Sequence, residues 1–303
     1  LAEPPFLNHA WAQFGGSIAI DGGRAVVGAH GDSQDLSGAR YGAAYVYEHD
    51  GSVWNQVARL VADDRIEEAS FGRDVALSGD RIVIVAPGAD VEAEQHAGAA
   101  YVFELDGGAW VQTHTLVAET PRSAGEYGGL VALDGDRLLV ADRGEGYVEF
   151  WAGSENGWDR SARFEIEAPS SIALSSSEAL VGVPGDDGAG DDTGAVYVYR
   201  DNAGTWSAYD SLVPSDVEPG DAFGAVLDLD GGRALVSAIG RFHTDPGAVY
   251  VFERSGSSWS ERQTLTAAGE QRFGSSLNLD GDRAIIGVTT SDSPKAYAFE
   301  IEG

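Results

Sequence analysis

Polar and apolar positions along this chain follow one pattern that occurs six times. Near Phe14-Gly15 it opens with an alternating run, Ser17-Ile18-Ala19-Ile20, passes a turn at Asp21-Gly22-Gly23, and enters an apolar run from Ala25 to Gly28. A third run alternates small and aromatic residues, Ala44-Tyr45-Val46-Tyr47, and a fourth starts at Trp54 and runs to Leu60-Val61-Ala62. The pattern returns near residues 71, 127, 168, 223 and 273. Alternation marks a strand with one buried face, and an unbroken aliphatic run marks a strand buried on both. The glycine-containing turns supply the positive φ that tight hairpins require. Each period therefore reads as a four-stranded antiparallel meander, and arrays of such units build β-propellers. The expectation is an all-β, six-bladed β-propeller that occupies residues 1–303 as a single domain.

The sixth period stops after its third strand. Leu1-Ala2-Glu3 precedes Phe14 much as Leu60-Val61-Ala62 precedes Phe71. Residues 1–13 are thus expected to close the last blade, which would remove open strand edges. A seven-bladed ring is the alternative.

The motif Phe-Gly, then Val85-Ala86-Pro87-Gly88, then Gly-Ala-Val-Tyr-Val-Tyr as at 194–199, resembles the FG-GAP repeat of integrin α-chain propellers and of bacterial extracellular proteins. The likeness runs over nearly all of residues 14–303. It is weakest in the third period, where Ala141-Asp142-Arg143-Gly144 stands in place of the Pro-Gly motif. The fourth period has Ala168-Pro169 where the others have Phe-Gly. Integrin blades often carry a calcium loop between their first two strands. Here the corresponding turns, such as Asp21-Gly22-Gly23-Arg24, are too short to wrap a cation needing six to eight oxygens. The resemblance implies an extracellular protein-interaction or adhesion module.

Charge narrows the classes further. The formal net charge is −30, with 49 acidic residues against 19 basic ones. Such a surface repels phosphate backbones and excludes nucleic acid as a partner. Apolar runs are far shorter than the ~20 residues that a spanning helix needs. The chain has no Cys, which removes disulfides, thiol nucleophiles and Cys-metal sites. These features agree with a secreted or cell-surface protein, monomeric as a domain and part of a longer chain.

Candidate chemistry lies in the loops between second and third strands, because loops on a rigid scaffold carry binding residues. Asp186, Asp187, Asp191 and Asp192 flank glycines and could converge on calcium. The alternative is an acidic turn held by Asp side-chain bonds to backbone. Asp32 and Asp35 form a lesser candidate of the same kind. The tryptophans at 54, 110, 158, 206 and 259 recur at one position and read as packing between blades. Trp11 and Trp151 break that register and are expected at an exposed ligand contact. His9, His30, His49 and His114 read as ordinary surface or strand-end histidines.

No nucleophile elbow, P-loop or dinucleotide motif is present. The sequence reading is therefore a non-enzymatic binding or adhesion module with a protein or glycan ligand. A lectin-like sugar binder and a spacer within a larger secreted protein are the alternatives.

Overall fold

The computed structural model describes residues 12–33, 39–240, 246–289 and 294–301. The expected closure by residues 1–13 falls largely outside these, and Trp11 and Asp35 fall wholly outside them. The described residues hold strands, turns and no helix. The chain is a six-bladed β-propeller built of antiparallel meanders, five four-stranded and the last with three strands among the described residues. Backbone contacts group it into two compact units, Leu1–Glu165 and Ile166–Gly303.

In the first unit, blade one comprises β1 (Phe14–Asp21), β2 (Arg24–Ala29), β3 (Ala43–His49) and β4 (Trp54–Leu60). Blade two comprises β5 (Val75–Ser78), β6 (Arg81–Ala86), β7 (Ala99–Asp106) and β8 (Ala109–Leu116). Blade three comprises β9 (Tyr127–Asp134), β10 (Arg137–Asp142), β11 (Tyr147–Ser154) and β12 (Gly157–Glu165). In the second unit, blade four runs through β13 (Ser171–Leu174), β14 (Glu178–Val183), β15 (Ala195–Asn202) and β16 (Thr205–Leu212). Blade five holds β17 (Phe223–Asp230), β18 (Arg233–Ala238), β19 (Pro246–Ser255) and β20 (Ser258–Gln271). Blade six holds β21 (Phe273–Asp280), β22 (Arg283–Val288) and β23 (Lys295–Glu300).

Second strands are the apolar runs of the sequence, and in β6 every residue after Arg81 is buried. They need that composition because both faces meet a neighbouring sheet. The Phe of each Phe-Gly packs edge-on against the third-strand Tyr of its own blade. Phe71–Tyr101 and Phe223–Tyr250 ring centroids lie 5.4 and 5.6 Å apart. Where β3, β7, β11, β15 and β19 meet their fourth strands, the register shifts at one equivalent point, for example between Val102 and Phe103. The bulge is thus part of the repeat.

Blades touch through backbone. In blades one, two, four and five, the glycine before or near the start of the third strand lies against the Phe-Gly, or Tyr-Gly, of the next blade. A Cβ on Gly42, Gly98, Gly194 or Gly247 would stand 2.1 to 2.2 Å from the carbonyl oxygen of Phe71, Tyr127, Phe223 or Phe273. Hydrogen bonds cross at the same place, Tyr127 N–H to Ala97 O and Phe223 N–H to Thr193 O, both at 2.9 Å.

A second tie sits at the hairpins between first and second strands. Arg24 Nη1 donates to Gly79 O at 2.6 Å and to Asp80, while its Nε and Nη2 reach Glu48. Arg81 repeats this with Gly135 O, Asp136 and Glu104, and Arg233 with Gly281 O, Asp282 and Glu253. The guanidinium fork suits this geometry because its donors are fixed in one plane. Trp110 covers the Arg24 guanidinium at 5.1 Å and Trp158 covers that of Arg81 at 5.2 Å. The recurring tryptophans accordingly pack between neighbouring blades at these two positions.

Gly98→Ala should cost at least about 2–3 kcal/mol, because the added methyl meets backbone and the φ of +86° is strained for an L residue. Gly135→Ala, with φ +57° and no atom within 4 Å of the added carbon, should cost about 1 kcal/mol. Urea unfolding of the two variants checks the difference, and equal losses would contradict a backbone seam.

Candidate functional site

The junction of blades two and three departs from the repeat. In every other blade, the residue opposite the fourth position of the second strand is Tyr: Tyr45, Tyr101, Tyr197, Tyr250 and Tyr297. In blade three it is Glu149, opposite Val140. Its Phe-Gly is Tyr127-Gly128, and Trp151 stands where the others have Tyr or Phe. The aromatic triad of the other blades has become a hydrogen-bonded chain of Trp, Tyr and Glu. Trp151 Nε1 donates to Tyr127 Oη at 3.0 Å, and Tyr127 Oη donates to Glu149 Oε2 at 3.0 Å.

Glu149 is fully buried. Arg160 Nε lies 2.8 Å from its Oε1, but the N–H does not point along that line, so this contact is an ion pair without a good hydrogen bond. Arg160 also lies over the Trp151 ring at 4.7 Å, and Arg163 over Tyr147 at 3.5 Å. Burial raises the Glu149 carboxyl above its ordinary value, against the pull of Arg160. Burial, then the Glu149 charge, pushes Tyr127 well up. Trp151, expected at an exposed contact, is instead buried at 8% exposure and held on both sides. Its sequence position breaks the tryptophan register because it belongs to the third strand, where an aromatic residue packs inward.

An open cleft lies at the hairpin end of the same junction. Two adjoining hollows of about 390 Å³ each share Arg81 and Glu104. His114, Asp136 and the turn Ser154-Glu155-Asn156-Gly157 line one of them. Arg81, Glu104 and Asp136 are committed to each other. His114 is not so committed: its Nδ1 is buried without a partner. The ring fits because residue 157 is glycine, since a Cβ there would come within 3.1 Å of Nε2. His114 reads in the sequence as an ordinary strand-end histidine, because its signal is the cleft around it.

The acidic loop of blade four follows the alternative weighed for it. Asp186 accepts the Tyr197 hydroxyl at 2.6 Å and caps Gly188 N–H. Asp187 accepts Asp192 N–H at 2.7 Å, and the Asp191 and Asp192 carbonyls receive Gly220 and Ala222 N–H. Asp32 is buried against Arg59 and the Tyr45 hydroxyl. Among the described residues, no group of three or more His, Asp or Glu is placed to hold a metal ion.

One carboxyl beside this junction is a pH reporter. Asp74 accepts Val131 N–H of blade three at 2.9 Å and Val75 N–H at 3.0 Å, yet burial still lifts it to about 6. The folded chain thus holds this proton more tightly than the unfolded one, whose carboxyl ionises near the ordinary 3.8. The contribution to stability is full below about pH 4 and is lost as pH rises to about 6. Asp74→Asn, which keeps an acceptor oxygen, should remove that decline and be about 1–2 kcal/mol more stable than the parent at pH 7. Urea midpoints from pH 4 to 8 check this, and parallel curves for the two proteins would contradict it.

Comparison with known proteins bears on the family and the fold. The FG-GAP repeat model matches residues 9–47, 54–103 and 206–252. No curated protein sequence matches the chain. A crystal structure of a protein from Lactobacillus plantarum aligns with TM-score 0.58 at 18% identity, over 94% of this chain and 83% of that one. Two proteins named "putative 6-phosphogluconolactonase" also align. The one from Bacteroides uniformis gives TM-score 0.59 at 10% identity, over 95% of this chain and 86% of its own. The one from Bacteroides fragilis gives 0.58 at 11%, over 95% and 85%. Identities this low establish fold alone. They correct the sequence reading nonetheless: propellers of this shape include proteins named as enzymes, so the fold is no ground for a non-enzymatic adhesion, lectin or spacer role. That reading rested on missing catalytic motifs, and a propeller site is assembled from separate blades and leaves no local motif.

Proposed function

The chain is an FG-GAP-repeat β-propeller, and from that premise we propose that it is a hydrolase opening a small uncharged lactone at the His114 cleft. The observation that carries this reading is a histidine in an open polar cleft with one ring nitrogen buried and unpartnered. Histidine is the commonest general base. With the proton on Nδ1, Nε2 accepts a proton from water as its oxygen attacks the lactone carbonyl carbon. The acyl–oxygen ring bond then breaks, the proton passes to the leaving ring oxygen, and the product is an open hydroxy acid.

The substrate class follows from charge. Glu104, Asp136 and Glu155 line the cleft of a protein with net charge −30. The Arg81 guanidinium is spent on two carboxylates. A phosphorylated lactone, as in the name of the Bacteroides proteins, would be repelled, and an unphosphorylated one would not. The anionic product would be repelled too, which favours its release.

A pH-stat assay on unphosphorylated aldonolactones should show base uptake above the spontaneous rate. His114→Ala should lower kcat by about 100-fold or more with little change in KM. Lack of turnover on any lactone would refute the hydrolase, and full activity in the variant would move the site elsewhere.

A further inference from the structure

The arginine forks at 24, 81 and 233 are not identical, and the one that differs borders the His114 cleft. Arg24 holds Glu48 with both Nε and Nη2, at 3.2 and 3.1 Å. Arg233 holds Glu253 in the same way, at 3.1 and 2.6 Å. Arg81 reaches Glu104 through Nε alone, at 2.9 Å, and sends Nη1 to Gly135 O and Asp136. Its Nη2 has no hydrogen-bond partner among the described residues. We propose that this nitrogen is the oxyanion donor of the cleft, the group that meets the lactone carbonyl oxygen. The inference rests on the hydrolase reading of the same site.

Three observations carry it. Nη2 is not one of the sealed, unpaired polar atoms of the described residues, so it stays open to solvent. The open space that Arg81 borders is the pair of hollows at the cleft. Second, the free nitrogen and the histidine occur together. The place of His114, opposite Val102, is taken by Ala58 opposite Val46 in blade one and by Gln263 opposite Val251 in blade five. The two closed forks are thus the two without a histidine. Third, the guanidinium is fixed before any ligand arrives, by Glu104, by Gly135 O with Asp136, and by the Trp158 ring at 5.2 Å. A donor already held in place costs no reorganisation as charge develops.

Glu104 and Asp136 offset the guanidinium charge, which preserves the preference for an uncharged lactone, while the N–H bonds of Nη2 remain directional donors. As the water oxygen attacks the carbonyl carbon, the carbonyl π electrons move onto its oxygen. Nη2–H donates a hydrogen bond to that oxyanion and transfers no proton. The electron pair returns when the acyl–oxygen ring bond breaks.

Arg81→Lys keeps the positive charge and removes Nη2. Its kcat on an unphosphorylated aldonolactone should fall about 100-fold with KM little changed. Arg24→Lys makes the same change at a closed fork, and should lose comparable stability in urea while keeping kcat. The unmodified protein gives a second reading: a sugar lactam labelled with ¹³C at its carbonyl should show a lower C=O stretching frequency when bound than in water. Full kcat in folded Arg81→Lys, an equal fall in Arg24→Lys, or an unshifted carbonyl in the bound lactam would each overturn the inference and leave the hydrolase standing. No turnover of any lactone by the unmodified protein would remove both.

Discussion

Backbone contact between blades is the constraint on which the rest depends. At Gly42, Gly98, Gly194 and Gly247 the chain approaches the next Phe-Gly so closely that no side chain fits. That approach sets the spacing at which the edge-on Phe–Tyr pairs and the second-strand aliphatics of adjacent sheets interdigitate. Position also matters for the second-strand glycines. A Cβ on Gly28 or Gly182 would stand 2.2 or 2.1 Å from the carbonyl of Gly72 or Gly224. Glycine is therefore fixed in the repeat by packing here, whereas the hairpin glycines answer to φ alone.

Charge is organised around this frame. The Arg forks at 24, 81 and 233 each join two carboxylates and a carbonyl of the next hairpin. In blade four the equivalent position holds Glu178, and Arg200 and Arg254 come to it from the third strands of blades four and five. The polarity of the pair is reversed while the tie is kept. These guanidiniums are thereby spent within the protein, whose formal net charge is −30. The proposed preference for unphosphorylated ligands rests on that charge.

The sequence made the blades legible because each strand carries its own periodicity and each turn its own glycine. The reading of the recurring tryptophans as packing between blades holds at Trp110 and Trp158, which cover arginines of the preceding blade. The buried chain of blade three was visible as Tyr147-Val148-Glu149-Phe150-Trp151 in place of an Ala-Tyr-Val-Tyr run. Its meaning was hidden, because Arg160 and Arg163 reach Glu149 from another strand. Trp151 was misplaced for the same reason: an aromatic residue off the repeat can be exposed, or can be buried by a compensating neighbour such as Tyr127. The clefts at His114 and Trp259 join residues from separate blades, and no local pattern announces such a site.

Each compact unit thus carries a hollow of its own, that of His114 in the first and that of Trp259 in the second. The first holds a histidine whose Nδ1 has no partner, and the second is lined by Trp259 together with Asp210 and Glu261. The most direct test of the central claim is a crystal structure of the protein soaked with an uncharged sugar lactam, a hydrolysis-resistant mimic of the lactone. The account predicts the lactam ring in the Arg81–His114–Gly157 cleft, with its carbonyl carbon within reach of a water held by His114. A lactam bound at any other place, with that cleft unoccupied, would contradict it.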